Sequence, residues 1–174
     1  LVRPDDEIAL VRYFTARVSA RAGDPDAPRR QQIFFNALKT LSNITFHYGR
    51  FLPKTKMRPL ATNPKKFVQI LDTEEKGSDV NLATHLVNDA WLSRFDLALV
   101  FSQDTDLIEP MRIVTQERKL KVGLIWLDGG EPNKKMVAAS SFVRHASRAD
   151  IAASLFPNSI LRPDGKRIEK PSSW

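Results

Sequence analysis

The stretch Phe95-Asp96-Leu97-Ala98-Leu99-Val100-Phe101, followed at once by Ser102-Gln103-Asp104-Thr105-Asp106, decides how the rest of the chain is read. Its first part is an almost unbroken apolar run, the pattern of a strand covered on both faces, which belongs to parallel sheets. Its second part puts two carboxylates on the loop leaving that strand. In open parallel sheets, ligands bind just beyond the carboxyl ends of the strands. Working outward, Ser78 to Trp91 precedes the run as a helix with Leu82, Ala83, Leu86, Val87 and Ala90 on one face. Asp106 to Lys119 follows it as a helix, and Lys121 to Leu127 is a second apolar strand.

Further toward the N-terminus, Ile8 to Val18 reads as a strand, largely apolar and β-branched. Ser19 to Pro28 is a loop marked by Gly23, Pro25 and Pro28. Ala27 to Leu41 spaces Ile33, Phe34, Ala37, Leu38 and Leu41 as a helix. Asn43 to Phe51 alternates as a strand, with Ile44, Phe46 and Tyr48 on one face. Leu52 to Pro64, with Pro53, Pro59 and Pro64, reads as irregular, and Phe67 to Leu71 as a short strand. Toward the C-terminus, Asn133 to Val143 and Arg148 to Phe156 are weaker helical segments. Strands alternating with helices at this spacing predict an α/β fold with a mainly parallel sheet. One domain is expected over residues 1–156, with a loosely attached tail from Pro157 to Trp174.

The 174 residues carry 42% hydrophobic and 27% charged side chains, enough for one ordinary core. Lys plus Arg exceed Asp plus Glu by 27 − 20 = 7, and the sequence pI is about 9.9. Such a balance favours phosphate or other anionic partners without identifying them. There are no cysteines, which excludes disulfides, thiolate metal sites and cysteine nucleophiles. No apolar run approaches the roughly 20 residues of a membrane helix. The polar, acidic opening Leu1–Glu7 does not read as a signal peptide. A cytoplasmic location and no membrane partner are expected.

Two acidic features carry the candidate chemistry. Asp104 and Asp106, two residues apart on a tight loop, can converge on one hard cation such as Mg²⁺, which prefers oxygen ligands. The competing reading is structural: Asp106 and Glu109 have capping-box spacing, and acids stabilise a helix N-terminus. The second feature is Glu75-Lys76-Gly77-Ser78-Asp79-Val80, where Gly77 supplies an unusual backbone angle, Ser78 is a good N-cap and Asp79 lies in the first helical turn. Each acid alone has a capping or dipole explanation. Asp79 opens one helix after a strand, while Asp104 and Asp106 end another strand, so all three gather on one edge of the sheet.

These two motifs, with Leu82-Ala83 after the first and Leu107 and Pro110 after the second, resemble the NYN domain, a relative of PIN-type nucleases. The resemblance spans roughly Val11 to Leu127. It implies a Rossmann-like three-layer α/β/α sandwich and a metal-dependent endoribonuclease using Mg²⁺ or Mn²⁺. It places Asp79 at the acid of the family's Lys-Gly-x-Asp motif, and Asp104 and Asp106 at the two acids of its Ser-x-Asp-x-Asp motif, as catalytic and metal-binding residues. Lys76 and Ser102 match positions that shape the pocket. The family's first strand also carries an Asp-Gly-x-Asn motif that nothing here matches, since Asp5, Asp6 and Glu7 lack its Asn and its apolar run. That strand is expected to precede Leu1, to have been removed, or to come from elsewhere. The implied reaction is metal-assisted phosphodiester hydrolysis, with RNA as partner and homo-oligomerisation left open. A non-catalytic RNA-binding or scaffold domain of the same fold is the alternative.

Substrate cations are sought in Arg50, Lys54, Lys56, Arg58, Lys65 and Lys66, with Phe51, Met57 and Phe67 interleaved, a composition that suits phosphate tracking and base stacking. A solvated loop would look the same. His47, His85 and His145 are scattered without ligand spacing and read as structural or surface residues.

Overall fold

A computed structural model describes residues 2–127, 129–162 and 164–174. The fold is mixed α/β, with several sheets of which one is wholly parallel. Strand β1 (Val11–Ala16) pairs in parallel with β2 (Ile44–Leu60), which pairs antiparallel with β3 (Asn63–Lys76). The second sheet is β4 (Leu97–Val100), β5 (Lys121–Trp126) and β6 (Phe142–His145), all parallel. A short hairpin of β7 (Ser159–Leu161) and β8 (Arg167–Glu169) closes the chain. Among the described residues, β1 and β4 each pair on one side only, so the expected parallel strands fall into two sheets.

The core follows from the apolar runs. Val122, Leu124 and Trp126 of β5 point to one side and pack with Val100 of β4 beneath helix α2 (Ser78–Trp91), which contributes Leu86 and Ala90. Ile125, on the opposite side of β5, is fully buried as well, as a strand buried on both faces requires. Helix α3 (Ile108–Arg112) adds Met111, and α4 (Lys134–Ala139) adds Met136. Helix α1 (Ala27–Leu38) covers one face of the first sheet, where Phe35 meets Tyr13 and Phe46 edge-on at ring-centroid distances of 6.2 and 5.6 Å. The other face meets α2: Phe14 and His47 stack at 5.0 Å and both contact His85. A half-buried Arg12 from β1 grips buried Asp89 of α2 with two hydrogen bonds, and Arg94 adds a third at 3.1 Å. Thus α2 spans from the first sheet to the core of the second.

Five segments differ from their sequence reading. The irregular Leu52–Pro64 and the short strand Phe67–Leu71 are both parts of one long β2–β3 hairpin arm. Beyond Gly49 no strand among the described residues flanks β2 on its β1 side, so prolines at 53 and 59 are tolerated there as they are on edge strands. The helix expected from Asp106 to Lys119 starts as a 3₁₀ turn (Thr105–Leu107), runs through α3 and ends in a π-helical turn (Ile113–Glu117). The helix expected from Asn133 to Val143 stops at Ala139, where Ser140 turns extended (ψ 158°), and Val143 belongs to β6. The tail from Pro157 carries β7 and β8 and packs on α1: Ile168 is buried, and Trp174 meets Phe34 edge-on at 6.2 Å. Helix α5 (Arg148–Ala153) begins with a capping box formed by Ser147 and Asp150.

Candidate functional site

The acidic site forms where the arm returns to the body. At the end of β3, Glu75 holds the following turn by accepting from the Ser78 hydroxyl at 2.9 Å and the Ser78 N–H at 3.3 Å. Gly77 takes φ 103°, a left-handed conformation that disfavours any side chain. It is therefore Gly77, not Ser78 as the sequence indicated, that stands at the N-cap of α2, and Ser78 is already the first helical residue. Asp79 follows in the first turn, an exposed residue whose carboxyl reaches toward Asp104.

Opposite stands the loop after β4. The Ser102 hydroxyl accepts from the Asp104 N–H at 3.1 Å, and the Asp104 carboxylate accepts from the Asp106 N–H at 2.9 Å. The capping role expected for Asp106 with Glu109 belongs to Asp104, because its extended backbone lets its carboxylate reach forward to the Asp106 N–H. Glu109 instead pairs with Arg112 at 2.6 and 2.8 Å. One carboxylate oxygen of Asp104 is thus committed to the backbone.

The two loops converge. Asp79 has its carboxyl pushed above the ordinary range, first by burial and then by the neighbouring charges of Asp104, Glu75 and Asp106, with a further hydrogen bond to Asp104. Like charges held together in this way raise a carboxyl pKa. Asp79 therefore feels the charges of the other two expected acids and of Glu75. Among the described residues, no three Asp, Glu or His side chains stand at the spacing of a finished metal site. The donor set is oxygen only, which suits a hard divalent cation and no soft one.

The expected cations divide. Arg50 and Lys76 are direct cross-strand partners at the base of the arm, beside Gly77. Like charges in that position repel; Lys76 is met by Glu74 at 3.1 Å, while Arg50 has no ion-pair partner among the described residues. Lys54 and Lys56 are drawn away into the arm: Lys56 pairs with Asp72 at 2.8 Å and with Glu74, and Lys54 lies 3.9 Å from Glu74. Arg58 stands eight residues up the strand from Arg50, roughly 26 Å at strand rise. A continuous row of free cations from 50 to 58 is therefore not present.

Two participants escaped the sequence reading. Gly49 passes so close behind the Glu75–Ser78 turn that a Cβ there would meet Lys76 O at 2.6 Å and Ser78 Oγ at 2.9 Å. Glu75 both fixes the turn and adds charge to the cluster. A glycine inside an alternating strand is the only mark Gly49 leaves in the sequence, and it signals close backbone approach in general terms. His47 and His85, read as scattered, lie with ring centroids 4.0 Å apart beneath α2, while His145 ends β6.

No family model matches the chain. It is 27% identical over 190 aligned positions to a 6-hydroxy-3-succinoylpyridine 3-monooxygenase from Pseudomonas putida, covering 97% of this chain and 58% of that protein. The chain thus spans little more than half the length of that relative. Among solved structures it is similar to a protein of unknown function from Vibrio parahaemolyticus, with a TM-score of 0.45 and 16% identity over 75% of this chain and 66% of the other. Among the described residues no helix is long and apolar enough to cross a membrane.

Proposed function

We propose that the acidic end of the fold is a divalent-metal site for cleaving RNA phosphodiester bonds, on a Rossmann-like three-layer scaffold of the NYN/PIN-like kind. The observation that carries this reading is the acid cluster: Asp79, on a different loop from Asp104 and Asp106, is pushed up first by burial and then by the charges of Asp104, Glu75 and Asp106. Holding such charges together without a counter-ion costs free energy, and a bound cation removes that cost. Covering of the first sheet by α1 on one face and α2 on the other supports the three-layer scaffold.

In this reading Asp79, Asp104 and Asp106 hold Mg²⁺ or Mn²⁺, and Ser102 fixes the loop that presents the last two. The bound metal would lower the pKa of an attacking water and neutralise charge on the leaving oxygen. Arg50 and Lys76 flank the cluster and are placed to take the substrate's phosphates, as cations do in any nucleic-acid site. Arg58 serves an outlying part of a longer strand, while Lys54 and Lys56 are taken up by Glu74 and Asp72 within the arm.

The test is cleavage of RNA and DNA substrates by the protein with Mg²⁺ or Mn²⁺, with EDTA as control, beside Asp79→Asn and Asp104→Asn. Metal-dependent RNA cleavage lost in both variants supports the site. Full activity in both would sink it. RNA binding without cleavage under any metal would leave the non-catalytic RNA-binding alternative.

A second reading rests on a different feature. An apolar cavity of about 930 Å³ lies between α1, the ends of β4 and β5, and the C-terminal hairpin, lined by Phe34, Phe101, Leu127, Phe156 and Trp174 among others. Its size and lining suit a small aromatic molecule, the class named in the substrate of the Pseudomonas putida relative. A thermal shift with 6-hydroxy-3-succinoylpyridine, abolished by Phe101→Asp, would support this reading; no shift would dismiss it.

A further inference from the structure

The outer edge of β3 pairs with no strand among the described residues, although the strand is fourteen residues long. It reads Asn63-Pro64-Lys65-Lys66-Phe67-Val68-Gln69-Ile70-Leu71-Asp72-Thr73-Glu74-Glu75-Lys76. Phe67, Ile70 and Leu71 on it are 56%, 38% and 77% exposed. A long edge with exposed apolar side chains is a template for another strand, and proteins ordinarily blunt such edges with lysine. Lys65 and Lys66 would do so here, were they not balanced on the same edge by acids at matching distance.

Antiparallel pairing of a strand with its own copy places a two-fold axis on a pair of identical residues, and directly opposed side chains share a face. With the axis at Ile70, Lys65 stands opposite Glu75 of the second copy and Lys66 opposite Glu74, each pair occurring twice. Ile70 then meets its own copy, Phe67 meets Thr73 and Gln69 meets Leu71. Opposite charges in cross-strand positions stabilise a sheet, and like charges there destabilise it. Neither Lys65 nor Lys66 has an ion-pair partner among the described residues, whereas Glu74 already meets Lys54, Lys56 and Lys76 within its own arm and Glu75 holds the Ser78 turn, so the second copy's lysines would join acids that keep these contacts. We propose that β3 is a self-recognition edge through which two copies of this chain join by antiparallel pairing centred on Ile70, making one four-stranded β2–β3–β3–β2 sheet from two arms. Main-chain hydrogen bonds supply the affinity and the mirrored charges supply the register. Nucleic acid fits the same edge poorly, because each lysine pair is offset by an acidic pair along the strand. The proposal does not rest on the reaction assigned to the acidic site, although Glu75 belongs to both.

The chain has no cysteine, so single cysteines report the register directly. Across the axis, the Cα atoms of residue 70 would lie about 4.5–5.5 Å apart, within disulfide reach. Ile70→Cys should therefore form an intermolecular disulfide under mild oxidation. Val68→Cys alone should not, because its own copy lies about four residues, roughly 13 Å, out of register. An equimolar mixture of Val68→Cys and Asp72→Cys should cross-link as a heterodimer. Charge reversal gives a second arm, read by sedimentation over a concentration series. Lys65→Glu/Lys66→Glu and Glu74→Lys/Glu75→Lys should each be monomeric where the wild type is dimeric. Their mixture should restore the dimer, since all four ion pairs reappear. A wild type that stays monomeric throughout, or cross-linking equal at all three cysteines, overturns the proposal. Loss of RNA binding in Lys65→Glu/Lys66→Glu with a monomeric wild type would also overturn it and make the edge a nucleic-acid surface instead.

Discussion

Gly49 of β2 lies against the backbone of Lys76, so close that a methyl group on it would stand 2.6 Å from the Lys76 carbonyl oxygen. The relation ties the start of the hairpin arm to its end and fixes the turn from which Asp79 projects. Gly49→Ala must displace that turn, because the obstacle is backbone and cannot rotate away. Overpacking of this kind costs about 1–3 kcal/mol. Denaturant unfolding of Gly49→Ala should show that loss, and if the proposed metal-dependent cleavage is this protein's activity, it should fall with that of Asp79→Asn. A Gly49→Ala protein of wild-type stability and activity would mean that the turn is not held as described.

What the sequence discloses and what it hides divide along the same line between local and distant order. Helix α2 is legible because Leu82, Leu86 and Ala90 repeat at its own period, and β4 because its apolar run is unbroken. The arm is not, since Pro53, Pro59 and a run of lysines imitate a loop. Their tolerance depends on an empty flank of β2 that only the tertiary structure reveals. Val143 continued a helical spacing that Ser140 had already broken. At the candidate site, the two motifs led to the expectation that Asp79, Asp104 and Asp106 gather on one edge, and the charges of Asp104 and Asp106 do reach Asp79. The part played by Gly49 is invisible in sequence because it is a contact between two strands joined by the whole length of the arm.

Asp79 supplies a pH signature. Its carboxyl is raised above the ordinary 3.8, first by burial and then by Asp104, Glu75 and Asp106, so the folded protein binds this proton more tightly than the unfolded chain does. The favourable effect is complete below pH 3.8 and is lost as pH rises through the raised value, leaving net repulsion at neutral pH. Asp79→Asn should therefore be more stable than wild type at pH 7, by no more than about 1 kcal/mol because solvent screens exposed charges. The difference should vanish in acid. Adding Mg²⁺ or Mn²⁺ should stabilise the wild type and leave the variant behind. Denaturation midpoints across pH and metal concentration check both; a variant less stable than wild type at pH 7 would refute the repulsion.

Asp89 behaves in the opposite sense. Burial pushes its carboxyl up, but hydrogen bonds and charge from Arg12 and Arg94 outweigh burial and hold it below 3.8. The pair joins β1 to α2 and with it the two sheets. Removing one member of a buried pair strands the other, at a cost of about 3–5 kcal/mol. Asp89→Ala should show that loss at pH 7. Because the folded value is depressed, the contribution is present above pH 3.8 and disappears as pH falls through the folded value. The gap between variant and wild type should close in strong acid. A constant gap down to pH 2 would assign the loss to packing rather than charge.

His47 gives the last prediction. Burial lowers its pKa from 6.5, and the nearby charges of His85 and Arg12 lower it further against the opposing pull of Asp89. Its ring is stacked on Phe14 and within 3.2 Å of both Arg12 and Thr45. The unfolded chain therefore takes up a proton at a higher pH than the folded one, and acidification favours unfolding. As pH falls from 7 to 5 the wild type should lose stability, by an amount on the order of 1 kcal/mol for each unit of depression. His47→Phe keeps an aromatic ring against Phe14 and His85 but cannot titrate, so its unfolding midpoint should change less over the same interval. If His47→Phe retains the full wild-type slope, the proton that loosens α2 from the first sheet binds a group other than His47.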